Sequence, residues 1–581
     1  MSLNIFLQEL QKLKESSRYA IANGIDAEID EFKKYLHVER EVEVNLRSII
    51  KKSCDLSGAQ LILVCGNVGD GKSHILSYLR NTIPDEINKF HTHNDATESH
   101  NPTETSNETL YKLLDGFKDV NISNSSSKII LAINLGTLSK FIEEYKDEFK
   151  VLETYISKNR ILESGLIEDN IFNENSSFHH INFTDYHLFS LTEEGPESKI
   201  ISTILNLLVT PNKQNSIYSS YLNFKSTLSE KQFCPVLYNY EFLFEEKNRL
   251  VLTQLIIKSI ISGKEIISIR TLLNFIYDLI VPVNFPIDNS NEIELVFDKE
   301  NRQNSKLLSS LLPNYIFEHP ELSSLFSKIK TLDPCIDRKE ELDSHLLNYA
   351  RHKNVENLFL KVIDKTYTNE ILFLLKSSNL DDVTCKFFIR LNYFNKYFKD
   401  SYLRDIVYDD YLVWLFHFNN HNKVYIKKIY ELFEYTARNW NGDPRANDKV
   451  VLAMDNRQDQ YRIFKDFDLV PKVDTGIAEL KESCLNRFTQ DFVLSFEVNE
   501  EIITLNIDYG LYVILRRVKE GYRPNRKDGN NYIYFVEAIN KLINKDIENS
   551  PIYIDEINIG QAIDYKFSRD HFGNYKFIQG R

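Results

Sequence analysis

A short stretch with three glycines, between an apolar run and a helical pattern, constrains this chain more than any other feature. The run 61–65 is followed by Gly66, four further residues and then Gly71, Lys72 and Ser73. This Gly-x4-Gly-Lys-Ser spacing is typical of a loop that wraps phosphate groups at the start of a helix. Glycine is scarce, at 18 of 581 residues, so a chance match is improbable. The sequence therefore predicts a strand, a phosphate-binding loop and a helix, in that order.

The loop has the chemistry expected of a nucleoside triphosphate site. Glycines allow positive φ and close approach of the backbone to a ligand, and the N–H groups converge at a helix N-terminus. Lys72 is expected to reach the β- and γ-phosphates, and the Ser73 hydroxyl to ligate Mg²⁺. A glycine-rich turn with an incidental Lys-Ser pair is the alternative. The predicted cofactors are ATP and Mg²⁺, and the predicted nucleotide-binding residues of the loop are Gly66, Asn67, Val68, Gly69, Asp70, Gly71, Lys72, Ser73 and His74.

Strands that alternate with helices predict an α/β core with a parallel sheet. A helical pattern over 26–52, which carries Arg40, precedes the loop, and strands are predicted near 91–95, 128–136 and 178–186, with a helix over 137–157. In many P-loop ATPases such a leading helix packs near the adenine, and an ordinary surface helix is the alternative. The predicted fold is a P-loop NTPase of the ASCE or AAA-like kind. Its predicted segments are an N-terminal helical segment (1–55), an ATPase core (56–196), a helical lid (197–285), a helical domain (286–440) and an α+β C-terminal domain (441–581).

Hydrolysis requires a carboxylate near Mg²⁺ and an oriented water. The strand 129–133 lies at the right distance from the loop, yet it ends in Asn134, which cannot act as a base. Asp95 is predicted to position metal or water, with a turn-forming aspartate as the alternative. Asn134 or Asn182 is a candidate γ-phosphate sensor, and for each an ordinary asparagine at a strand end is the alternative. Arg270, early in a Ser-capped helix, is a candidate contact from the lid. The predicted catalytic residues are Lys72, Asp95 and Asn134, and the predicted metal ligands are Ser73 and Asp95.

A second apolar run that ends in acids, 551–557 with Asp555 and Glu556, imitates the missing acid-bearing strand. It follows Lys72 by about 480 residues, and the chain would have to return to the central sheet after leaving it. We interpret this run as structural.

The charge balance restricts how nucleic acid could bind. The formal net charge is −14, so a DNA contact needs a local patch or a partner subunit. One basic cluster interleaved with tyrosines is a candidate for touching phosphates and stacking bases, and a solvated hairpin tip around Asp528 and Gly529 is the alternative. The cluster contains Arg516, Arg517, Lys519, Arg523, Arg526 and Lys527, with Tyr522, Tyr532 and Tyr534.

The remaining composition predicts a cytoplasmic protein without membrane association. The six cysteines are scattered and lack the spacing of a zinc site or a disulfide framework. Residues 1–9 have the pattern of an amphipathic helix and not of a signal peptide. The apolar run 250–261 carries Gln254 and Lys258 and is too short to span a bilayer.

Four segments together carry a resemblance to a known family. They are 66–74 (GNVGDGKSH), 93–102 (HNDATESHNP), 132–136 (AINLG) and 182–186 (NFTDY). In combination they resemble the DptF family, the ATPase component of DNA phosphorothioation-dependent restriction systems. The resemblance covers the ATPase region and, more loosely, the C-terminal half. It implies a bacterial defence protein that acts with DptG- and DptH-like subunits on DNA lacking the sulfur-for-oxygen backbone modification.

Several functional questions stay open at this point. The sequence shows no recognisable nuclease constellation, so cleavage is expected from a partner or from the C-terminal region. DNA is expected to be contacted directly or through partners, and a homo-oligomer is possible.

The predicted activity is hydrolysis of ATP to ADP and phosphate, with a lid that changes angle between nucleotide states. The alternatives are a non-defence P-loop ATPase, such as a DNA loader or a chaperone-like protein, and an ATP-binding scaffold with little hydrolysis.

Overall fold

The computed structural model of the chain forms two compact units. The first comprises Met1–Ser190 and Pro196–Arg404, and the second comprises Leu191–Gly195 and Asp405–Arg581. The five segments predicted from the sequence are finer than this division and stay predictions. The structure describes residues 2–14, 31–67, 70–93, 105–162, 172–265, 267–283, 296–298, 304–336, 339–351, 355–362, 371, 373–374, 382–443, 448–452, 461–467, 469–473, 479–498, 501–543, 551–556, 563–569 and 574–579.

A four-stranded parallel sheet lies in the first unit. Its strands are β1 Gln60–Cys65, β2 His91–His93, β3 Lys128–Ile133 and β4 Phe178–Asn182. The strand order is β2-β3-β1-β4, with β1 paired to β3 on one side and to β4 on the other. All six residues of β1 are buried, as a central parallel strand with both faces covered requires. The α/β class predicted from the sequence is therefore confirmed.

Helices cover both faces of this sheet. The helices up to the end of the sheet are α1 Ser2–Gln11, α2 Glu31–Tyr35, α3 Glu41–Ser53, α4 Lys72–Thr82, α5 Pro84–Ile87, α6 Ser106–Leu113, α7 Leu135–Tyr145 and α8 Lys150–Lys158. Leu61 and Leu63 pack in a buried cluster with α6, α7 and α8, whereas Ile62 and Val64 pack in a second cluster with α3 and α4. Alternate residues of β1 thus serve opposite faces, and the core has three layers.

The described remainder of the first unit is mostly helical. A small antiparallel pair joins Gln232–Phe233 to Phe297–Asp298. The helices are α9 Lys199–Val209, α10 Ser216–Lys225, α11 Pro235–Phe242, α12 Glu246–Gly263, α13 Ile269–Ile280, α14 Asn304–Ser310, α15 Leu312–Glu318, α16 Ser324–Thr331, α17 Glu340–Arg351, α18 Val355–Val362 and α19 Asp382–Lys396. The short strands β7 Gln232–Phe233 and β8 Phe297–Asp298 belong to this unit. Strands β5 Ser190–Thr192 and β6 Gly195–Glu197 each contain residues of both units.

In its described residues, the second unit combines five helices with antiparallel strands. Its helices are α20 Ile406–Asn419, α21 Lys423–Asn439, α22 Tyr509–Lys519, α23 Arg526–Asn531 and α24 Ile533–Ile543. Its strands are β9 Lys449–Val451, β10 Tyr461–Asp466, β11 Cys484–Leu485, β12 Phe492–Val498, β13 Glu501–Ile507, β14 Ile552–Glu556, β15 Ile563–Arg569 and β16 Tyr575–Gln579.

The acid-ending run near the end of the chain belongs to an antiparallel sheet of the second unit. Five strands pair there in the order β16-β15-β14-β10-β9. Asp555 and Glu556 lie in β14, between β10 and β15. The described part of this run therefore lies outside the parallel sheet, as its interpretation as structural requires. Among the described residues, no helix is both long enough and apolar enough to cross a bilayer.

Candidate functional site

The predicted phosphate loop lies at the carboxyl edge of the parallel sheet, where two helices diverge. Helix α4 follows the loop and packs on one face of the sheet, whereas α7 follows β3 and packs on the other. Because β1 and β3 are neighbours and the helices that follow them pack on opposite faces, their carboxyl ends form a topological switch point. Open α/β sheets bind ligands at such a point. The loop and Asn134, the residue after β3, therefore lie at the same switch point, since Cys65 and Ile133 are paired.

Two loop positions require glycine for their backbone conformation and for space. Gly66 has φ +155° and Gly71, which precedes α4, has φ +87°. A Cβ on Gly66 would lie 2.9 Å from Oδ2 of Asp70 and 2.9 Å from Cβ of Phe183. A Cβ on Gly71 would lie 3.0 Å from Nη2 of Arg40. The positive φ expected at these two glycines is confirmed, while Val68 and Gly69 lie outside the described residues.

Side chains of the loop are bonded to its own backbone. Nζ of Lys72 donates to the carbonyl oxygens of Gly66 and Asn67 at 2.9 and 2.6 Å. The backbone N–H of Asn67 donates to Oδ2 of Asp70 at 2.5 Å. Burial raises the pKa of Asp70, and the Asn67 N–H, Lys72 and Arg40 oppose that shift. The lysine ammonium thus lies over the first residues of the loop, beside a partly buried carboxylate.

The acid predicted to position metal or water, Asp95, lies outside the described residues, beyond the end of β2 at His93. Its assignment stays a prediction. None of the described residues forms a group of three or more His, Cys, Asp or Glu side chains that could enclose a metal ion. A Mg²⁺ ion bound by one or two protein oxygens plus substrate phosphates does not require such a group, so Ser73 at the start of α4 remains compatible with the predicted role.

A different acid, Asp185, lies at the same sheet edge. Strand β4 ends at Asn182, which is paired with Cys65 of β1, and a 3₁₀ turn, Phe183–Asp185, follows directly. The pKa of Cys65 is raised to about 12, mainly by burial; Lys72 lowers it and Asp185 raises it further. Both charged groups are thus close to the end of β1. Sequence reasoning missed Asp185 because it sought acids directly after an apolar run, whereas this one lies in a turn.

The two asparagines predicted as phosphate sensors also have local structural roles. Oδ1 of Asn134 accepts from the N–H of Thr137 at 2.7 Å and caps α7. Oδ1 of Asn182 accepts from the N–H and the hydroxyl of Thr184 at 3.2 and 2.8 Å, and its Nδ2 donates to Oδ1 of Asp185 at 3.1 Å. The structure brings both residues to the edge next to the loop, and their sensing roles stay predictions.

Arg270, the predicted lid contact, is the second residue of α13. The hydroxyl of Ser268 accepts from the N–H of Thr271 at 3.1 Å, so the predicted Ser-capped helix is confirmed. The Arg270 side chain is partly buried. A contact between Arg270 and nucleotide stays a prediction.

A layer of side chains from the turn before α3 supports the loop and the start of α4. Nη2 of Arg40 donates to the carbonyl oxygen of Asp70 at 3.0 Å. Nδ1 of His37 lies 3.1 Å from Nε2 of His74, and the His37 ring stacks on Tyr78 with centroids 3.7 Å apart. The other His37 nitrogen lies 3.1 Å from a carboxylate oxygen of buried Glu43. His74, at the end of the predicted binding stretch, is thus linked to the helix that precedes β1.

The basic cluster of the second unit is partly neutralised and partly exposed. Nη1 of Arg516 donates to Oδ2 of Asp410 at 2.8 Å, and Arg517 lies 4.0 Å from the centre of the Tyr522 ring. The alternative of a hairpin tip is wrong, because α23 forms there and the Asn525 side chain caps it. The exposed cations of the cluster are Arg517, Lys519, Arg523, Arg526 and Lys527.

Comparisons with known proteins do not identify a relative. No protein-family model matches the chain, and no curated protein matches it. The functional interpretation therefore depends on the residues of the loop and of its surroundings.

Proposed function

We propose that this chain is a P-loop NTPase that binds ATP with Mg²⁺ at residues 66–74 and hydrolyses it to ADP and phosphate. The main support is the position of Gly71 and Lys72 at the N-terminus of α4, beside the carboxyl ends of the paired strands β1 and β3. A helix N-terminus attracts anions through its N–H groups and its dipole. The loop, Lys72 and the helix therefore offer several donors to one polyphosphate.

In this mechanism the protein groups bind and orient the reactants. A phosphate oxygen would compete with two backbone carbonyls for the Lys72 ammonium. The hydrogen bond from the ammonium to a charged phosphate oxygen is stronger than one to a neutral carbonyl. The Ser73 hydroxyl would hold Mg²⁺, which supplies charge neutralisation to the phosphates when bound. Asp185, or Asp95 as first predicted, would orient the attacking water. Asn134 follows β3, the neighbour of β1, and is a candidate for contacting the γ-phosphate.

Changing Lys72 to Ala tests the proposed site. We expect a loss of ATP affinity on the order of 100-fold and no measurable turnover, because a charge-assisted contact to phosphate is removed. Binding is measured with a fluorescent ATP analogue, and turnover by phosphate release. Lys89→Ala is the control, since Lys89 is exposed and pairs with Asp55 on the surface. Wild-type turnover by the Lys72→Ala variant would contradict the proposal.

We further propose, from the resemblance to the DptF family, that the chain is the ATPase subunit of a DNA phosphorothioation-dependent restriction complex. It would act with DptG- and DptH-like subunits and on DNA, directly or through them. The test is phosphate release by the chain with co-purified partners, using unmodified and phosphorothioated DNA. Equal rates on both DNAs would favour a non-defence ATPase.

An ATP-binding scaffold with little hydrolysis is the second candidate. It is favoured by Asn134, which occupies the position after β3 where an acid is usual and which already caps α7. Phosphate release by the purified chain separates the two, because a scaffold would bind ATP tightly and release almost no phosphate, with or without DNA.

A further inference from the structure

We infer that Arg40 is a positioning residue for the phosphate loop: its guanidinium holds the Asp70 carbonyl and so orients the following N–H, that of Gly71, toward a bound phosphate. This inference rests on the proposed function, because it assumes that the loop binds the polyphosphate of a nucleotide. Arg40 would act on the phosphate through the backbone, without touching it.

The geometry of one peptide group carries this argument. Nη2 of Arg40 donates to the Asp70 carbonyl oxygen at 3.0 Å. In a trans peptide the C=O and the next N–H point in opposite directions within one plane. Fixing the Asp70 carbonyl toward the guanidinium therefore fixes the Gly71 N–H on the opposite side. A Cβ on Gly71 would lie only 3.0 Å from the same nitrogen, so the arginine and the glycine are fitted to each other.

The guanidinium is held in place by further contacts. It lies 5.5 Å from the centre of the Phe183 ring, a distance at which a cation is attracted to the aromatic face. Burial lowers the pKa of Arg40, and the carboxylates of Asp70 and Glu43 oppose that shift. Arginine remains charged under such conditions. The Arg40 guanidinium therefore stays a charged hydrogen-bond donor, and its orientation relative to the loop is restricted.

The turn that carries Arg40 is anchored at both ends. The Tyr35 hydroxyl donates to the Leu207 carbonyl in α9 at 2.7 Å, and His37 contacts both Tyr78 and His74 of α4. After Arg40 the chain enters α3, which packs under the sheet. A side chain on a turn restrained in this way can fix a peptide plane at little further entropic cost.

The experiment compares Arg40→Met with Lys51→Met, a control on the exposed side of α3. Affinity for ATP is measured with a fluorescent analogue, kcat and KM by phosphate release, and folding by the thermal midpoint without nucleotide. We expect Arg40→Met to weaken ATP binding about tenfold and to raise KM to a similar extent, with a wild-type thermal midpoint. Arg40→Lys keeps a cationic donor and is expected to recover part of the affinity, which a general packing role would not predict.

The outcomes separate this inference from the proposed function. If the wild-type chain fails to bind ATP, the proposed function is contradicted. If the wild type binds and Arg40→Met equals Lys51→Met in affinity and KM, only the inference is overturned. Should Arg40→Met unfold, Arg40→Gln replaces it, since its amide is polar but too short to reach Asp70; wild-type affinity in that variant overturns the inference, and a tenfold loss supports it.

Discussion

At the scale of single residues, Asp185, the acid proposed to orient the attacking water, is the most informative position to change. Asp185→Asn is expected to retain ATP binding and to lower kcat at least about 100-fold, because an amide neither acts as a base nor ligates Mg²⁺ strongly. The substitution preserves shape next to Asn182, whose Nδ2 donates to the carboxylate. Asp95→Asn is the matched variant, measured by the same binding and phosphate-release assays. A loss of kcat in Asp95→Asn together with normal turnover in Asp185→Asn would contradict the role given to Asp185 and support the sequence prediction.

Residues whose conformation depends on adjacent residues were predictable from the sequence. Residues whose role depends on partners distant in the chain were not. Gly66 and Gly71 follow from the motif, since a loop entering a helix needs positive φ, and both have it. The Ser268 cap follows from a pattern of adjacent residues. The position of Asp185 near the loop depends on the pairing of β4 with β1. The position of Arg40 depends on the break between α2 and α3. Neither the pairing nor the break leaves a signal in the local sequence.

At the scale of elements, the differences from the sequence prediction arise from contacts between distant segments. The pattern over 26–52 predicts one helix, but α2 ends at Tyr35 and Arg40 has an extended backbone, with φ −108° and ψ 154°. No glycine or proline lies in the turn 36–40, so tertiary contacts of His37 and Arg40 override local propensity. The existence of the elements was predictable, and this break was not.

The predicted helix over 137–157 is divided for a similar reason. Helix α7 ends at Tyr145, and α8 begins at Lys150. The Asp119 carboxylate accepts from the N–H groups of Lys150 and Val151 at 2.9 and 3.1 Å. It therefore caps α8 from a point about thirty residues earlier in the chain. A search for caps among adjacent residues cannot find such a partner.

A buried arginine connects three segments of the first unit, and its removal is expected to lower the stability of the protein. Arg390 of α19 is 2% exposed; it donates to both carboxylate oxygens of Asp333 at 3.1 and 2.6 Å and to Oδ1 of Asn314 at 2.8 Å. It also lies 2.7 Å from Glu318. Arg390→Met is expected to lower the free energy of unfolding by about 3–5 kcal/mol, because Asp333 is left buried without its charge partner.

Urea unfolding of the full chain measures this cost, with Lys386→Met as the control on the same helix. Lys386 pairs with Asp382 at the surface, and such a pair contributes about 1 kcal/mol or less. Adding Asp333→Leu to Arg390→Met is expected to recover part of the stability, since both charges are then absent. If Arg390→Met and the control have the same free energy of unfolding, the buried network does not stabilise the first unit.

At the scale of the whole molecule, the α/β class was predictable and the division into units was not. Alternation of strands and helices around the loop predicts a parallel sheet, and the complete burial of β1 agrees with it. The residues Leu191–Gly195 belong to the second unit although they interrupt the first, since Leu191 and Thr192 pair with β11. A segment contributed across a distance of about 290 residues leaves no mark in composition or periodicity.

The exposed cations of the second unit provide a test of direct DNA binding by a chain of net charge −14. The triple variant Arg523→Glu, Arg526→Glu and Lys527→Glu is expected to weaken binding to a fluorescent DNA duplex. It should also reduce the slope of log K against log salt by about 3, since each phosphate contact contributes about 0.9 to that slope. Fluorescence anisotropy over a series of salt concentrations measures both quantities. The charge-matched control changes three other exposed lysines of the second unit to glutamate, and these are Lys423, Lys481 and Lys541.

Both triple variants should hydrolyse ATP at the wild-type rate without DNA, because the phosphate loop belongs to the first unit and all six changed residues belong to the second. A loss of DNA affinity confined to the first triple variant would assign the contact to this surface. Equal losses in both would mean that net charge alone governs binding. Unchanged affinity in both would place any DNA contact elsewhere in the chain, and no binding by the wild-type chain would leave DNA contact to its partners.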